Sequence, residues 1–241
     1  MGAEFESNRN GAYRFNPWGE RMVVELYDIA RYAPVLAAPF VGSLMALWIV
    51  QRPMERAGYG SPSGDAALPP GLVELSCVAI VLWAATVVTG WPLWITCLVG
   101  WTLLCLALVD YRQFILPDVI SLPLLVAGLI VAASGGRPGF ADAVIGATVG
   151  YGAFSAVGWL YARLRGREGL GLGDAKLLAV AGAWVGWAAL PTVVLLASVA
   201  ALVAALGRSG GVIRLDDARP LAFGPYLGFA LWLTLLYGRF L

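Results

Sequence analysis

Eight runs of apolar residues, most of them about as long as a bilayer is thick, constrain this chain more than any other feature. They are Tyr32–Val50, Gly71–Gly90, Trp91–Val109, Val119–Gly135, Phe140–Leu164, Lys176–Trp187, Leu190–Gly207 and Leu221–Tyr237. A hydrocarbon core of about 30 Å is spanned by roughly 20 helical residues. Backbone amides find no water there, so the runs are predicted to be helices rather than open sheet. Only 13% of residues are charged and 60% are apolar, whereas soluble domains carry about a quarter charged residues. The expected fold class is all-α: a polytopic membrane helix bundle of about eight transmembrane helices, with the lipid bilayer as its surroundings. The sixth run is short, and spans only if flanking residues extend it or the bundle thins the membrane. Gly90-Trp91 and the stretch around Pro191 are read as tight turns.

Arginine sets the orientation. The loops after runs one, three, five and seven hold Arg52, Arg56, Arg112, Arg163, Arg165, Arg167, Arg208, Arg214 and Arg219, while the loops on the other side hold only Arg137. The positive-inside rule therefore places the odd-numbered loops in the cytoplasm. Three regions are expected: a tail over 1–31, a first transmembrane helix with a short cytoplasmic loop over 32–70, and the main bundle over 71–241. In the tail, Met1 to Phe5 reads as a vector-derived scar, and Val23 to Ile29 as a short interfacial helix. A formal net charge of +1 offers no electrostatic footprint for nucleic acid.

Acidic residues at membrane depth are costly and mark function. The candidates are Glu74, Asp110, Asp118, Asp142 and Asp174. Asp110 closes the third run, and Asp174 lies in Gly171-Leu172-Gly173-Asp174-Ala175-Lys176, just before the sixth. Between them the chain crosses out and back once, so both carboxyls are expected at the same, cytoplasmic boundary. Two carboxyls sharing a site do not both ionise readily, so one serves as acid and the other as base. Such a pair activates water for amide hydrolysis without a metal or a nucleophilic side chain. The chain has no histidine, which excludes a Ser-His-Asp triad and a histidine-based zinc peptidase. Gly171 and Gly173 are expected to let the backbone bend and a substrate strand approach. Pro117 is expected to end the third helix and start the fourth at Asp118. Read from the residues alone, these acids serve equally as a hydrolytic site, a proton relay or solvated helix caps. The recurring Gly146, Gly150, Gly152, Gly158, Gly182 and Gly186 suit close helix packing.

Asp110 to Asp118 resembles the D-x(6)-P-D segment of the type IV prepilin peptidases, which belong with the GxGD aspartic proteases. Gly171 to Leu178 resembles their GxGDxKL motif, with Gly182-Ala183-Trp184 following, and Phe223-Gly224-Pro225-Tyr226-Leu227 resembles their FGPxL motif. Gly42-Ser43 with Arg52-Pro53 resembles the GSF…RLP opening segment, Glu74 the glutamate of the second helix, and Asp142 to Gly152 the start of the fifth. The resemblance runs from about Val41 to Leu227. It implies a peptidase of the bacterial inner membrane with Asp110 and Asp174 as the catalytic pair and a prepilin or a type II secretion pseudopilin as substrate, cut at the cytoplasmic face. Proteolysis is expected to need no cofactor. Many members also methylate the new N-terminus with S-adenosylmethionine.

Those bifunctional members carry two CxxC pairs in a zinc-bearing insert after the first helix. Gln51 to Pro70, the corresponding loop here, has no cysteine, so no zinc is expected and S-adenosylmethionine is expected only if methylation is retained. Cys77, Cys97 and Cys105 all fall inside apolar runs and read as small hydrophobes. Lys176 and Arg112 read as partners of a carboxylate or of substrate, with a plain positive-inside anchor the simpler role. Asp118 reads as support for the site or, preferably, a helix cap. Glu74 pairs with a basic group or meets substrate; Phe223, Gly224 and Pro225 belong to the site by resemblance. Glu168, Asp216 and Asp217 offer negative charge to a basic leader. Trp91, Trp184 and Trp187 read as interfacial anchors. The rival from another class is a proton-coupled transporter or scaffold using the aspartates as a relay.

Overall fold

The computed structural model describes residues 33–34, 37–44, 71–166, 171–208 and 222–238. All regular structure among them is helical: α1 (residues 37–44), α2 (Leu72–Val87), α3 (Trp91–Gln113), α4 (Asp118–Ala133), α5 (Phe140–Arg165), α6 (Leu172–Val185), a 3-10 turn (Trp187–Ala189), α7 (Leu190–Arg208) and α8 (Gly224–Tyr237). The all-α membrane bundle expected from the apolar runs is what forms. The tail over 1–31, the loop Gln51–Pro70, and Glu168, Asp216 and Asp217 lie outside the described residues.

Three of these elements, Trp91–Gln113, Phe140–Arg165 and Trp187–Gly207, are long and apolar enough to cross a membrane. They are not equivalent: α3 is largely buried in the bundle, whereas α5 and the α7 segment turn most of their surface outward. That outward surface is apolar, with Val149, Val157, Trp159, Leu160, Leu195, Val199 and Val203 exposed. In water such a patch invites association; in a bilayer it is the required lipid face.

The short sixth run is extended at its start, α6 opening at Leu172, four residues before the run. At 14 residues, α6 is about 21 Å long, but it needs little lipid-facing surface. It packs against α4, α5, α7 and α8, and Ala175 with every residue from Leu177 to Trp184 is buried. Glycine makes the approach of α5 tight. A Cβ at Gly150 would sit 2.6 Å from the Leu178 carbonyl, one at Gly146 would sit 2.5 Å from that of Gly182, and one at Gly182 would collide with the Gly146 backbone. These three are packing glycines, as expected. Gly152 has nothing within 4 Å, and Gly186 holds a left-handed φ of 80° at the turn into the 3-10 segment. The turn read around Pro191 is this one, a few residues earlier.

Tryptophan binds helices to each other. The indole N–H of Trp101 donates to the Cys77 carbonyl on α2, that of Trp184 to Leu124 on α4, and that of Trp232 to Thr96 on α3. Bonds of this kind between membrane helices contribute about 0.6–2 kcal/mol each. Trp184 is therefore a buried cross-link and not the interfacial anchor expected for it. Trp91, 73% exposed, and Trp187 keep positions at the ends of their helices.

Candidate active site

Helix direction gathers the motif residues. α3, α5 and α7 end where α2, α4, α6 and α8 begin, so Glu74, Asp110, Asp118, Asp174 and Gly224 all come to one end of the bundle. The expected return of the chain to a single boundary is realised. Asp142, in the first turn of α5, lies at the opposite end, where it accepts a bond from the Trp187 indole; it takes no part in this cluster.

Asp110 sits in the last turn of α3 and is only 5% exposed. The Gly224 N–H donates to its Oδ2 at 3.1 Å. First-turn amides of a helix have no helical acceptor, and Pro225 beside it suits the same turn because it has no N–H to satisfy. Gly224 is there for space as well: a Cβ would stand 2.5 Å from Asp110 Oδ2. Phe223, the N-cap of α8, packs its ring at 6.3 Å from that of Phe154 on α5. The FGP segment thus grips one catalytic candidate through its backbone.

Asp174 occupies the first turn of α6, where a helix N-terminus favours negative charge. The charge of Asp110 acts on its carboxyl. The two glycines before it differ. Gly171, the N-cap, has an ordinary extended backbone and open space around its Cβ position. At Gly173 a Cβ would meet Leu116 Cδ1 at 2.7 Å, so this glycine brings the α6 start against the α3–α4 connection. That connection is bent by Phe114, which caps α3 in the left-handed region at φ 52°. Pro117 is the N-cap of α4 and Asp118 its first residue, as expected.

Asp118 is the acidic residue in the first turn of α4, where a helix start favours negative charge. Its Oδ1 also takes an ion pair at 2.6 Å from Lys176 Nζ, so Lys176 has a specific carboxylate partner. This is the one ion pair among the described residues. Arg112 lies in the last turn of α3, where a cation complements the helix dipole. Glu74 meets a hydroxyl: Ser43 Oγ lies 3.4 Å from its Oε1, and Gly42 leaves room for the Glu74 backbone, its Cβ position being 2.7 Å from Glu74 Cα. The resemblance motifs at 42–43 and 74 are thus one α1–α2 contact.

Among the described residues no group of three or more Cys, Asp or Glu is placed to hold a metal ion. Cys77, Cys97 and Cys105 are buried and free. An apolar groove of about 440 Å³ runs between α3 and α4, lined by Ile95, Leu98, Val119, Pro123 and Val131 among others, with Trp184 at its side. Neither aspartate lines it.

These features define a polytopic membrane protein with two carboxyls, those of Asp110 and Asp174, brought to one end of its helices. A model of the type IV leader peptidase family matches residues 97–206, which include both aspartates. The prepilin leader peptidase/N-methyltransferase of Aeromonas salmonicida (strain A449) is 38% identical over 207 residues, covering 85% of this chain and 68% of the relative. The protein of the same name from Pseudomonas aeruginosa is 43% identical over 146 residues, 58% of this chain and 48% of the relative. That of Pseudomonas putida is 46% identical over 143 residues, with 57% and 48% covered. No solved structure matches. The chain belongs to the type IV leader peptidase family.

Sequence reasoning missed Leu116, the contact of Gly173, and the backbone donor at Gly224. Only the last had a local signal: a glycine directly before a proline at a helix start offers a free amide with no side chain in the way.

Proposed function

We propose that this chain is an aspartic endopeptidase that removes the leader peptide of prepilins or pseudopilins, with Asp110 and Asp174 activating one water. One carboxylate takes the proton of the water while the other, protonated, donates to the scissile carbonyl or the leaving amine. The pair titrates jointly, so the roles belong to the dyad. The observation that carries the reading is that Asp110, buried in the last turn of α3, and Asp174, in the first turn of α6, come to the same end of the bundle, with no Lys or Arg paired to either among the described residues. A counter-ion would fix both as carboxylates and remove the acid. The Gly224 amide engages one oxygen of Asp110 and leaves the other for water.

The end holding Arg112, Arg163 and Arg165 is read as cytoplasmic, which puts cleavage at the inner face of a bacterial inner membrane. The relay or transporter reading is not favoured by the family to which the chain belongs. N-methylation stands in the names of the relatives. Residues 51–70, which resemble a shortened form of the region linked to it, have no cysteine.

Coexpression with a tagged prepilin tests this. The expected result is a shorter product with the wild-type chain and full-length prepilin with Asp110→Ala or Asp174→Ala, both variants remaining in the membrane. Processing that survives either substitution removes that residue from the mechanism. The mass of the mature N-terminus, with or without one added methyl group, decides methylation.

A further inference from the structure

The apolar groove between α3 and α4 holds neither aspartate, yet both of its walls lead toward them. Its α3 wall runs from Ile95 to Thr102. Asp110 follows Val99, one of the lining residues, by eleven positions, so the two share a face of α3 to within about 20°. From Thr102 to Asp110 the helix rises about 12 Å, a distance covered by about four residues of extended chain. The α4 wall begins at Val119, directly after Asp118 and so at the end of the bundle that holds the dyad.

The lining also says what fits. Leu98 and Val119 belong to it and stand exposed, so the groove opens sideways into lipid. Its polar side-chain groups are engaged already: the Thr102 hydroxyl donates to the Leu98 carbonyl, and the Trp184 indole to that of Leu124. The occupant it suits is therefore apolar along most of its length. One acceptor differs. Pro123 has no N–H to give the Val119 carbonyl four residues before it, and both residues line the groove. A peptide can donate to that oxygen, whereas an acyl chain has no donor.

A site at the bilayer boundary acts on chains that the bilayer presents, and the anchoring segment of such a chain lies beside the enzyme within the membrane. We infer that the groove between α3 and α4 docks the apolar membrane-spanning helix of the precursor, so that the chain leaving its cytoplasmic end reaches Asp110. The inference rests on the peptidase reading above and names the surface that holds its substrate. Lipid tails are as apolar as the helix, so docking relies on packing into the groove. Filling the groove should weaken it. Ala127 and Thr102, both part-buried in the lining, are the places to do so.

Two measurements test this. In the first, a photo-reactive phenylalanine analogue is placed at Leu98 or, as a control, at the exposed Val157 of α5. The full chain carries Asp110→Asn, so that a coexpressed tagged prepilin is not consumed. Crosslinks to prepilin should be about tenfold stronger from Leu98 than from Val157. Equal yields at the two positions, or adducts with lipid alone at Leu98, overturn the inference. In the second, initial rates on prepilin in liposomes are compared for wild type, Ala127→Phe and Thr102→Phe. Each change should raise KM about tenfold and leave kcat near wild type. Unchanged kinetics, or a fall in kcat at constant KM, contradict docking. Crosslinking needs neither turnover nor a filled groove, so it decides the case in which both variants fail to fold. A wild-type chain with no turnover above Asp110→Asn overturns the peptidase reading, whereas equal crosslinks overturn the groove.

Discussion

At the scale of single residues, the site depends on what is missing from glycine. Gly224 lets a helix-start amide reach Asp110 Oδ2, and any Cβ there would meet that oxygen at 2.5 Å. Backbone and buried carboxyl both stand fixed, so Gly224→Ala must push Asp110 aside. Cleavage should fall roughly 100-fold, read as initial rate, with membrane insertion unchanged. Gly173→Ala is milder, because its clash is with Leu116 Cδ1, the end of a flexible side chain. Much of its loss should return when Leu116→Ala is added. Retention of full rate by Gly224→Ala would contradict the role given to that amide. The dyad also predicts a bell-shaped dependence of rate on pH. Protonating both carboxyls removes the base, and ionising both removes the acid; a single sigmoid would mean only one of them takes part.

At the scale of helices, α6 is the element on which the site turns. It carries Asp174 in its first turn and is enclosed by α4, α5, α7 and α8. Close approach to α5 requires Gly146, Gly150 and Gly182, so Gly182→Ala should destabilise the bundle by about 1–3 kcal/mol through overpacking. A lowered melting temperature in detergent checks this, and an unchanged one contradicts it. How much of this could be read from the sequence follows from the physics involved. Helix order was legible because lipid enforces long apolar runs, though α3 runs four residues past its apolar run and α6 opens four residues before its own; Asp110 and Asp174 stood out because a carboxyl at membrane depth is costly. The Asp118–Lys176 pair was not legible. Each residue has a sufficient local explanation, an acid in a first helical turn and a cation at the inner boundary, and only the three-dimensional approach of α4 to α6 links them. Trp184 was misread for the same reason: tryptophan is common at interfaces, and its burial depends on Gly128 across the α4–α6 contact, where a Cβ would come 2.9 Å from the indole.

At the scale of the whole molecule, the bundle sorts its chemistry by end. Alternating helix direction brings Glu74, Asp110, Asp118, Asp174 and Gly224 to one end and leaves Asp142 with Trp187 at the other. The arginine count assigns the first end to the cytoplasm. A single cysteine placed at Arg165, with the three buried native cysteines replaced by alanine, should react with a membrane-impermeant thiol reagent in inside-out vesicles and not in intact spheroplasts; one placed at Arg137 should do the reverse. The opposite pattern would turn the site outward. The account as a whole rests on Asp110 and Asp174 acting as one unit, and comparing cleavage by Asp110→Asn, Asp174→Asn and the double variant tests it most directly. Residues that act as a unit do not add their losses. Either single change should reduce cleavage to background, with the double no lower; a single variant that keeps a substantial rate, or a double whose loss is the product of two partial ones, would contradict it.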